Sequence, residues 1–492
     1  MKFVVRLHAE ITIKSRAVRK RHSKILTSNL RKILARSDAS FDIKSRWDRI
    51  EVNATAKDGL SDDQLRQAVT ERLSNTPGIS WFSEVIERPL TEFDELASWV
   101  AEHWLNRIEN QTFCVRIKRQ GQHSFSSLQL ERHIGGYMLS RSNNAAVKLN
   151  HPQLTINLQI NDQVVQLLGS RQQGLGGYPL PTQETTLSLV SGGFDSSVAS
   201  YEFMRRGART HFCFFNLGGD THEAAVKQIC YHLWQRFSAS HPLKFISVNF
   251  APVVEDILRN CDSGLMGVVL KRQMLRAASR VAAYLKAQAL ITGDAMGQVS
   301  SQTLSNLKVV DAATETLVLR PLITKDKQEI IDLARQIGVE PLAKSIPEYC
   351  GVISDKPTVM ANGSALEAEE EKLDQALLKQ VVNDAEILSM QDIATQSDRQ
   401  TKVNETHPQS TEQVIIDIRS PAEAQSTPLQ HPLAVITIPF FKLLSEFGQL
   451  DSQRHYLLYC AQGVMSKMQV LLLQEAGYHN VSVLTEDKGK IS

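Results

Sequence analysis

This sequence predicts a multidomain α/β protein, on three observations. At 492 residues the chain is too long for one hydrophobic core, so three or four domains are expected. Apolar runs with strand-like alternation take turns with helix-spaced segments over most of its length. One such run, Leu187 to Val190, passes through Ser191-Gly192-Gly193-Phe194-Asp195-Ser196-Ser197 into a segment whose Val198, Ala199 and Tyr201 suggest a buried helix face. Strand, glycine turn and helix N-terminus form the geometry that holds phosphate: glycine lets the backbone come close, and unpaired N–H groups face the anion.

Residues 1–75 open with alternation at Phe3, Val5, Leu7, Ile11 and Ile13, which predicts a strand. Ile25, Leu26, Leu30, Ile33 and Leu34 then predict a basic helix over Ala17 to Ala35. A strand at Trp47 to Val52 and a helix at Asp62 to Leu73 follow, the order of a small ferredoxin-like α+β unit. Residues 76–175 predict helix Phe93 to Ile108, strand Thr112 to Lys118, helix Leu128 to Leu139, and strands Val147 to Leu149 and Leu154 to Ile160. Between the first strand and second helix, the basic loop from Lys118 to Phe125 suits phosphate contact. Gly174-Leu175-Gly176-Gly177-Tyr178-Pro179 reads as a linker.

The third domain is expected over 176–355. Strands at Leu187–Val190, His211–Asn216, Lys244–Asn249 and Ala289–Thr292 alternate with helices near 196–206, 222–236 and 268–287. That order predicts a doubly wound parallel sheet, whose ligands sit at the carboxyl ends of its strands. Residues 356–410 are polar and poor in strand signals. Leu366, Leu373, Leu377 and Val381 could lie on an acidic amphipathic helix over Ala365 to Leu388, but the composition favours a flexible linker. Residues 411–492 return to α/β order, with strands at Val414–Ile418, Ile436–Ile438, Tyr456–Tyr459 and Val481–Leu484 and a helix at Met465–Ala476.

Charge is uneven. Residues 1–50 hold fourteen Lys/Arg and four Asp/Glu, as a surface facing nucleic acid would. Residues 361–410 reverse the balance, with four Lys/Arg and ten Asp/Glu. Six scattered cysteines, none in a C-x-x-C pair, argue against a zinc site and fit a reducing cytoplasm. The N-terminus lacks the apolar core of a signal peptide, and no run approaches eighteen apolar residues, so neither secretion nor a membrane span is expected.

Three segments carry chemistry. Asp195 sits within the phosphate turn, and a carboxylate beside phosphates usually means Mg²⁺ between them. The turn lacks the Gly-Lys-Ser/Thr ending of a Walker A loop. S-G-G-x-D-S after a strand instead resembles the PP-loop of the ATP pyrophosphatases, which cleave ATP between its α and β phosphates. Ile291-Thr292-Gly293-Asp294 ends another strand; Gly293 leaves room for a ribose or base, and Gln302 can hydrogen-bond a nucleotide. Lys271 can reach phosphate. Lys327 opens a helix, against the dipole, which suits an ammonium facing an anion better than a plain surface lysine. Next, Cys460-Ala461-Gln462-Gly463-Val464-Met465-Ser466 places a cysteine at a strand end before a loop and helix whose N–H groups stabilise anionic sulfur. Finally, Cys350 lies in Pro347-Glu348-Tyr349-Cys350-Gly351, where an inert thiol and a reactive one are equally compatible with the residues.

R-H-I-G-G-Y, followed by V-K-L-N-H-P-Q-L-T-I-N-L-Q-I, resembles the THUMP domain of tRNA-modifying enzymes. I-I-D-I-R-S-P-A-E with C-A-Q-G-V-M-S resembles a rhodanese-like sulfur carrier. In this order, with the PP-loop and P-E-Y-C-G-V-I-S between them, nearly the whole chain is similar to the tRNA 4-thiouridine synthetase (tRNA uracil 4-sulfurtransferase) family in its long form. The polar end T-E-D-K-G-K-I-S departs from the pattern. The resemblance implies ATP, with Mg²⁺, and no stably bound metal or organic cofactor. It implies pyrophosphate and metal contacts from Ser191, Gly192, Gly193, Asp195 and Ser196. Nucleotide contacts would come from Leu189, Val190, Lys271, Gly293 and Gln302, and charge stabilisation from Lys327. It implies a persulfide on Cys460, resolved as a Cys350–Cys460 disulfide. It implies uridine 8 of tRNA as acceptor, a cysteine desulfurase as donor and the sulfur-carrier protein of thiamine synthesis as a second acceptor. It is compatible with a homodimer and with attack by persulfide or by released hydrosulfide. A persulfide relay with tRNA binding secondary is the alternative, against which the intact PP-loop argues, since a relay needs no ATP. An RNA methyltransferase would need a Gly-rich S-adenosylmethionine loop, and none is recognisable.

Overall fold

A computed structural model describes residues 1–37, 39–57, 60–217, 219–344, 346, 357–396, 405–406, 413–419, 424, 428–460, 466, 469–470, 473–474 and 476–484. The chain forms two compact units, residues 1–182 and 183–492. Among the described residues no helix is long and apolar enough to cross a membrane.

The first unit is built on one nine-stranded, mainly antiparallel sheet. Its order is Ala39–Ser45, Ile50–Ala56, Lys2–Leu7, Ile79–Pro89, Val164–Leu168, Leu154–Asn161, Thr112–Gln120 and Ala146–Val147, with Gln172–Gln173 also on Ile79–Pro89. The first strand stops at Leu7; Ile11 is buried from a short helix, Ala9–Thr12, and Ile13 is left in solvent. Helix Arg16–Leu34 buries Leu26, Leu30, Ile33 and Leu34, and helix Asp62–Ser74 begins with a capping box between Ser61 and Gln64. Strand Ile79–Pro89 has no counterpart in the sequence reading, yet it joins two cores. Its Ile79–Val85 stretch pairs with Lys2–Leu7, and its Val85–Pro89 stretch pairs with Val164–Leu168. One core holds Phe3, Leu30 and Phe82; the other holds Trp104, Phe113 and Ile134. The glycine-rich stretch read as a linker is instead pinned to this strand: Gly174 N–H donates to the Ser80 carbonyl at 2.9 Å, Gly176 N–H to Ile79 at 2.7 Å, and Tyr178 is buried in the first core.

In the second unit, six strands run in the order Leu317–Leu319, Ala289–Ile291, Thr185–Val190, Arg209–Asn216, Lys244–Asn249 and Glu386–Ser389. The first five are parallel and the last is antiparallel. That is the doubly wound sheet the alternation predicts. Strands Val414–Asp417, Ala434–Thr437, Tyr456–Tyr459 and Val481–Leu484 form a separate parallel sheet around Ile416, Leu458 and Val483, with Glu405–Thr406 on its edge.

The linker reading of 356–410 fails for its larger part. Residues 357–396 carry helices Gly363–Glu370, Leu377–Asn383 and Met390–Gln396 and the edge strand Glu386–Ser389. Leu366, Leu373, Leu378 and Val381 complete the core of the six-stranded sheet. The acidity that suggested a solvated tether is partly internal. Glu370 is buried, and its carboxylate accepts from Arg272 at 2.8 and 2.9 Å and from Arg276 at 2.7 Å. Burial alone would raise the Glu370 pKa, but the two guanidiniums outweigh it and hold it below the usual carboxylate range.

Replacing Glu370 by Ala leaves the buried Arg272 charge without its partner. Chemical denaturation is expected to show a loss of about 3–5 kcal/mol at neutral pH. The native pKa is depressed, so this contribution is complete above the unfolded pKa of about 4.3 and fades as pH falls below it. A loss under about 1 kcal/mol would contradict the role given to this ion pair.

Candidate active site

Two neighbouring parallel strands frame the site. Thr185–Val190 delivers Ser191-Gly192-Gly193, and Ala289–Ile291 delivers Thr292-Gly293-Asp294. The strand order reverses between them, and at such a switch point the connections leave to opposite faces and open a crevice.

Both loops depend on glycine. Gly192 has φ +88°, and a Cβ there would meet Ile346 Cδ1 at 2.8 Å. A Cβ on Gly293 would lie 2.5 Å from the Ser196 nitrogen and 2.6 Å from the Asp195 carbonyl carbon. The two loops therefore touch backbone to backbone. Helix Phe194–Arg205 starts at Gly193 without a side-chain cap, which leaves first-turn N–H groups for an anion. Ser196 Oγ accepts from Ser191 N–H at 3.2 Å, and Ser197 Oγ donates to the Gly193 carbonyl at 2.8 Å, closing the turn.

Leu189, Val190, Ser191, Gly193, Asp195, Ser196, Lys271, Gly293 and Gln302 all line one cavity of about 590 Å³. Gly192 packs against Ile346 and Val226 instead. Lys327 opens helix Lys327–Ile337 and turns its ammonium onto Asp195, at 2.9 and 3.0 Å from the two carboxylate oxygens. The ion pair, with an Asp326–Glu329 capping box beside it, offsets the cation's poor fit to the helix dipole. Gln298 adds a third bond to Asp195, at 3.1 Å.

Asp294 is a hub that sequence reasoning did not identify. It accepts from Lys271 at 3.0 Å, Gln302 at 3.2 Å, Thr292 at 2.8 Å and Arg320 at 3.2 Å. Arg320 also forks onto Asp311 at 2.6 and 3.0 Å. Burial would raise the Asp294 pKa, but the Lys271 charge, the Thr292 bond and Arg320 lower it to about 2. Lys271 and Gln302, predicted to face the nucleotide, are thus held in place by a permanent anion. The only signal was Asp294's position at a strand end; its charged partners, Lys271 and Arg320, lie 23 and 26 residues away.

The residues fit a nucleotide. Gln302 gives its amide N–H to Asp294, while its carbonyl Oε1 is buried with no partner among the described residues, an acceptor suited to a ligand donor. A metal fit is narrower. Asp195 is a single carboxylate, and among the described residues no group of three or more His, Cys, Asp and Glu could hold a metal. Such a site suits Mg²⁺ only as an ion that takes most of its ligands from phosphate oxygens and water.

Cys460 ends strand Tyr456–Tyr459, half-buried, and Ser466 N–H donates to its sulfur at 3.3 Å. On the adjacent strand the buried Asp417–Arg419 pair, 2.6 Å apart, sets Arg419 5.1 Å from the Tyr459 ring. The other described cysteines, Cys114, Cys213, Cys230 and Cys261, are buried. Burial pushes Cys213 up to about 12, Cys261 up to about 11, and raises Cys230, so none of these three supplies a ready thiolate. Cys350, loop residues 461–465 and the polar tail 485–492 lie outside the described residues. Ile346, four residues before Cys350, and Pro357, seven after it, both line the cavity.

Comparison with known proteins gives a match at every domain. The family model described as Thiamine biosynthesis protein (ThiI) matches residues 181–375, and the ThiI ferredoxin-like domain matches 2–83. A THUMP domain matches 90–168 and a rhodanese-like domain 401–487. A 4-thiouridine synthetase, solved in complex with RNA and bound ATP, has a TM-score of 0.69 at 23% identity, covering 79% of this chain and 99% of that one; at this identity the likeness concerns the fold. The tRNA sulfurtransferase of Tolumonas auensis is 48% identical over 489 residues, covering 99% of this chain and 100% of that one. That of Shewanella pealeana is 50% identical over 487 residues, covering 98% and 99%. With half its positions shared along whole relatives, the chain belongs to the tRNA sulfurtransferase family.

Proposed function

We propose that this protein uses ATP to replace O4 of uridine 8 in tRNA by sulfur, giving 4-thiouridine. The observation that carries the reading is the convergence of the phosphate turn, Gly293, Lys271 and Gln302 on one cavity at the switch point. In it, the uncapped start of helix Phe194–Arg205 and the Ser191–Gly193 turn hold the phosphates of ATP. The backbone at Leu189 and Val190, with Gly293 and Gln302, holds the nucleoside.

Uridine O4 attacks the α-phosphorus, the bond to pyrophosphate breaks, and Lys327 balances charge on the leaving oxygens. Mg²⁺, when bound at Asp195, adds Lewis-acid neutralisation of the same oxygens. Adenylation makes O4 a leaving group. The terminal sulfur of a Cys460 persulfide then forms a bond to C4, and AMP departs with O4. Cys350 thiolate attacks Sγ of Cys460, so 4-thiouridine leaves as thiolate and a Cys350–Cys460 disulfide remains, to be reduced for the next cycle. Support for these two roles is that Cys460 keeps solvent access and an N–H donor, and that the chain on both sides of Cys350 lines the cavity. A cysteine desulfurase supplies the persulfide, and the sulfur-carrier protein of thiamine synthesis is a second acceptor. The N-terminal unit grips tRNA by backbone and shape.

Asp195→Asn is expected to lower tRNA-dependent pyrophosphate release by at least about 10²-fold, with tRNA affinity kept. Normal release removes Asp195 from the site. Cys460→Ser should make no 4-thiouridine from a persulfide donor while still forming AMP with tRNA; thiolation at the wild-type rate ends the carrier assignment. Cys350→Ser should trap tRNA on Cys460 as a mixed disulfide that dithiothreitol releases. Multiple turnover without reductant would make Cys350 a bystander.

A further inference from the structure

Trp47 lies in the turn between strands Ala39–Ser45 and Ile50–Ala56 and is 62% exposed. Burying an indole is strongly favourable, so a tryptophan left in water calls for a cause. Two guanidinium groups lie against its ring, Arg16 at 5.4 Å and Arg19 at 4.7 Å from the centroid. Arg19 also donates to the Trp47 carbonyl at 2.9 Å, which fixes the turn to the helix.

The helix end is itself unusual. Helix Arg16–Leu34 has no acidic residue in its first turn, and Ser15 makes no side-chain cap. Lys14, Arg16, Lys20 and Arg21 stand exposed there, where cations oppose the helix dipole. Two carboxylates of the neighbouring hairpin are engaged elsewhere: Asp48 by Arg6 and Arg49, and Glu51 by Arg46, Arg49 and Lys2. An anion arriving at this corner relieves the repulsion and meets free helix N–H groups.

We infer that Trp47, with Arg16 and Arg19, is a stacking platform for an unpaired base of the bound RNA. Indole and guanidinium planes accept the face of any base, and the helix cations take the flanking phosphates. Bases within a duplex already have both faces covered, so the ligand is a nucleotide from a loop, a bulge or an end. This rests on the reading of tRNA as substrate and assigns one contact within it.

The test is equilibrium binding of fluorescein-labelled, unmodified tRNA to the full-length protein over a series of salt concentrations. Trp47→Ala should weaken binding at least about fivefold, without changing the dependence on salt. Trp47→Phe should restore most of it. Lys20→Ala should instead flatten the slope of log K against log salt by about one. Wild-type affinity in Trp47→Ala overturns the platform, as does unchanged tRNA affinity with slowed persulfide loading, which would make the corner a protein-docking site. A wild-type protein that binds no tRNA fails the substrate reading itself, a separate result.

Discussion

The contact on which the second unit's chemistry depends is that of Gly293 with the start of helix Phe194–Arg205. A methyl group at position 293 would sit 2.5 Å from the Ser196 nitrogen, well inside contact distance. Because nothing stands between the two backbones, the carboxyl ends of Thr185–Val190 and Ala289–Ile291 form one cradle. Uncapped N–H groups from one strand end and the Asp294 hub from the other then share a single cavity.

Charge is distributed around that cradle in two unlike ways. Asp294 is half-buried and bonded to Lys271, Thr292, Gln302 and Arg320, so its charge is structural and persists across the physiological range. Asp195 faces the cavity with one ammonium, from Lys327, and one amide, from Gln298. A pair of this kind can exchange partners: phosphates draw the ammonium, and a divalent cation draws the carboxylate. The rigid cluster positions, and the exchangeable one is free to follow charge as it develops. Cys460 follows the same economy of means, with a strand end and a backbone N–H placing one accessible sulfur while the other described thiols stay buried.

Local patterns made much of this legible. The phosphate turn, helix Phe93–Ile108, strands Lys244–Asn249 and Tyr456–Tyr459, and Cys460 at a strand end all declare themselves within a few residues. What was hidden depends on partners far along the chain. Glu370 reads as a solvated acid until Arg272 and Arg276, 98 and 94 residues away, are set beside it. Strand Ile79–Pro89 mixes polar and apolar positions because it serves two cores in turn, so no single alternation runs through it. The glycines at 174 and 176 look like a flexible joint, but they allow close backbone pairing with Ile79 and Ser80. Trp47, predicted to begin a strand, instead occupies the turn before Ile50.

The central claim is that ATP turns a uridine oxygen into a leaving group, so that sulfur can take its place. Its most direct measurement follows that oxygen. tRNA labelled with ¹⁸O at uridine O4 is turned over with ATP and persulfide-loaded protein, and the AMP is weighed by mass spectrometry. Activation at the cavity predicts one ¹⁸O in AMP for each 4-thiouridine made. Unlabelled AMP, with the label released to water, would contradict it.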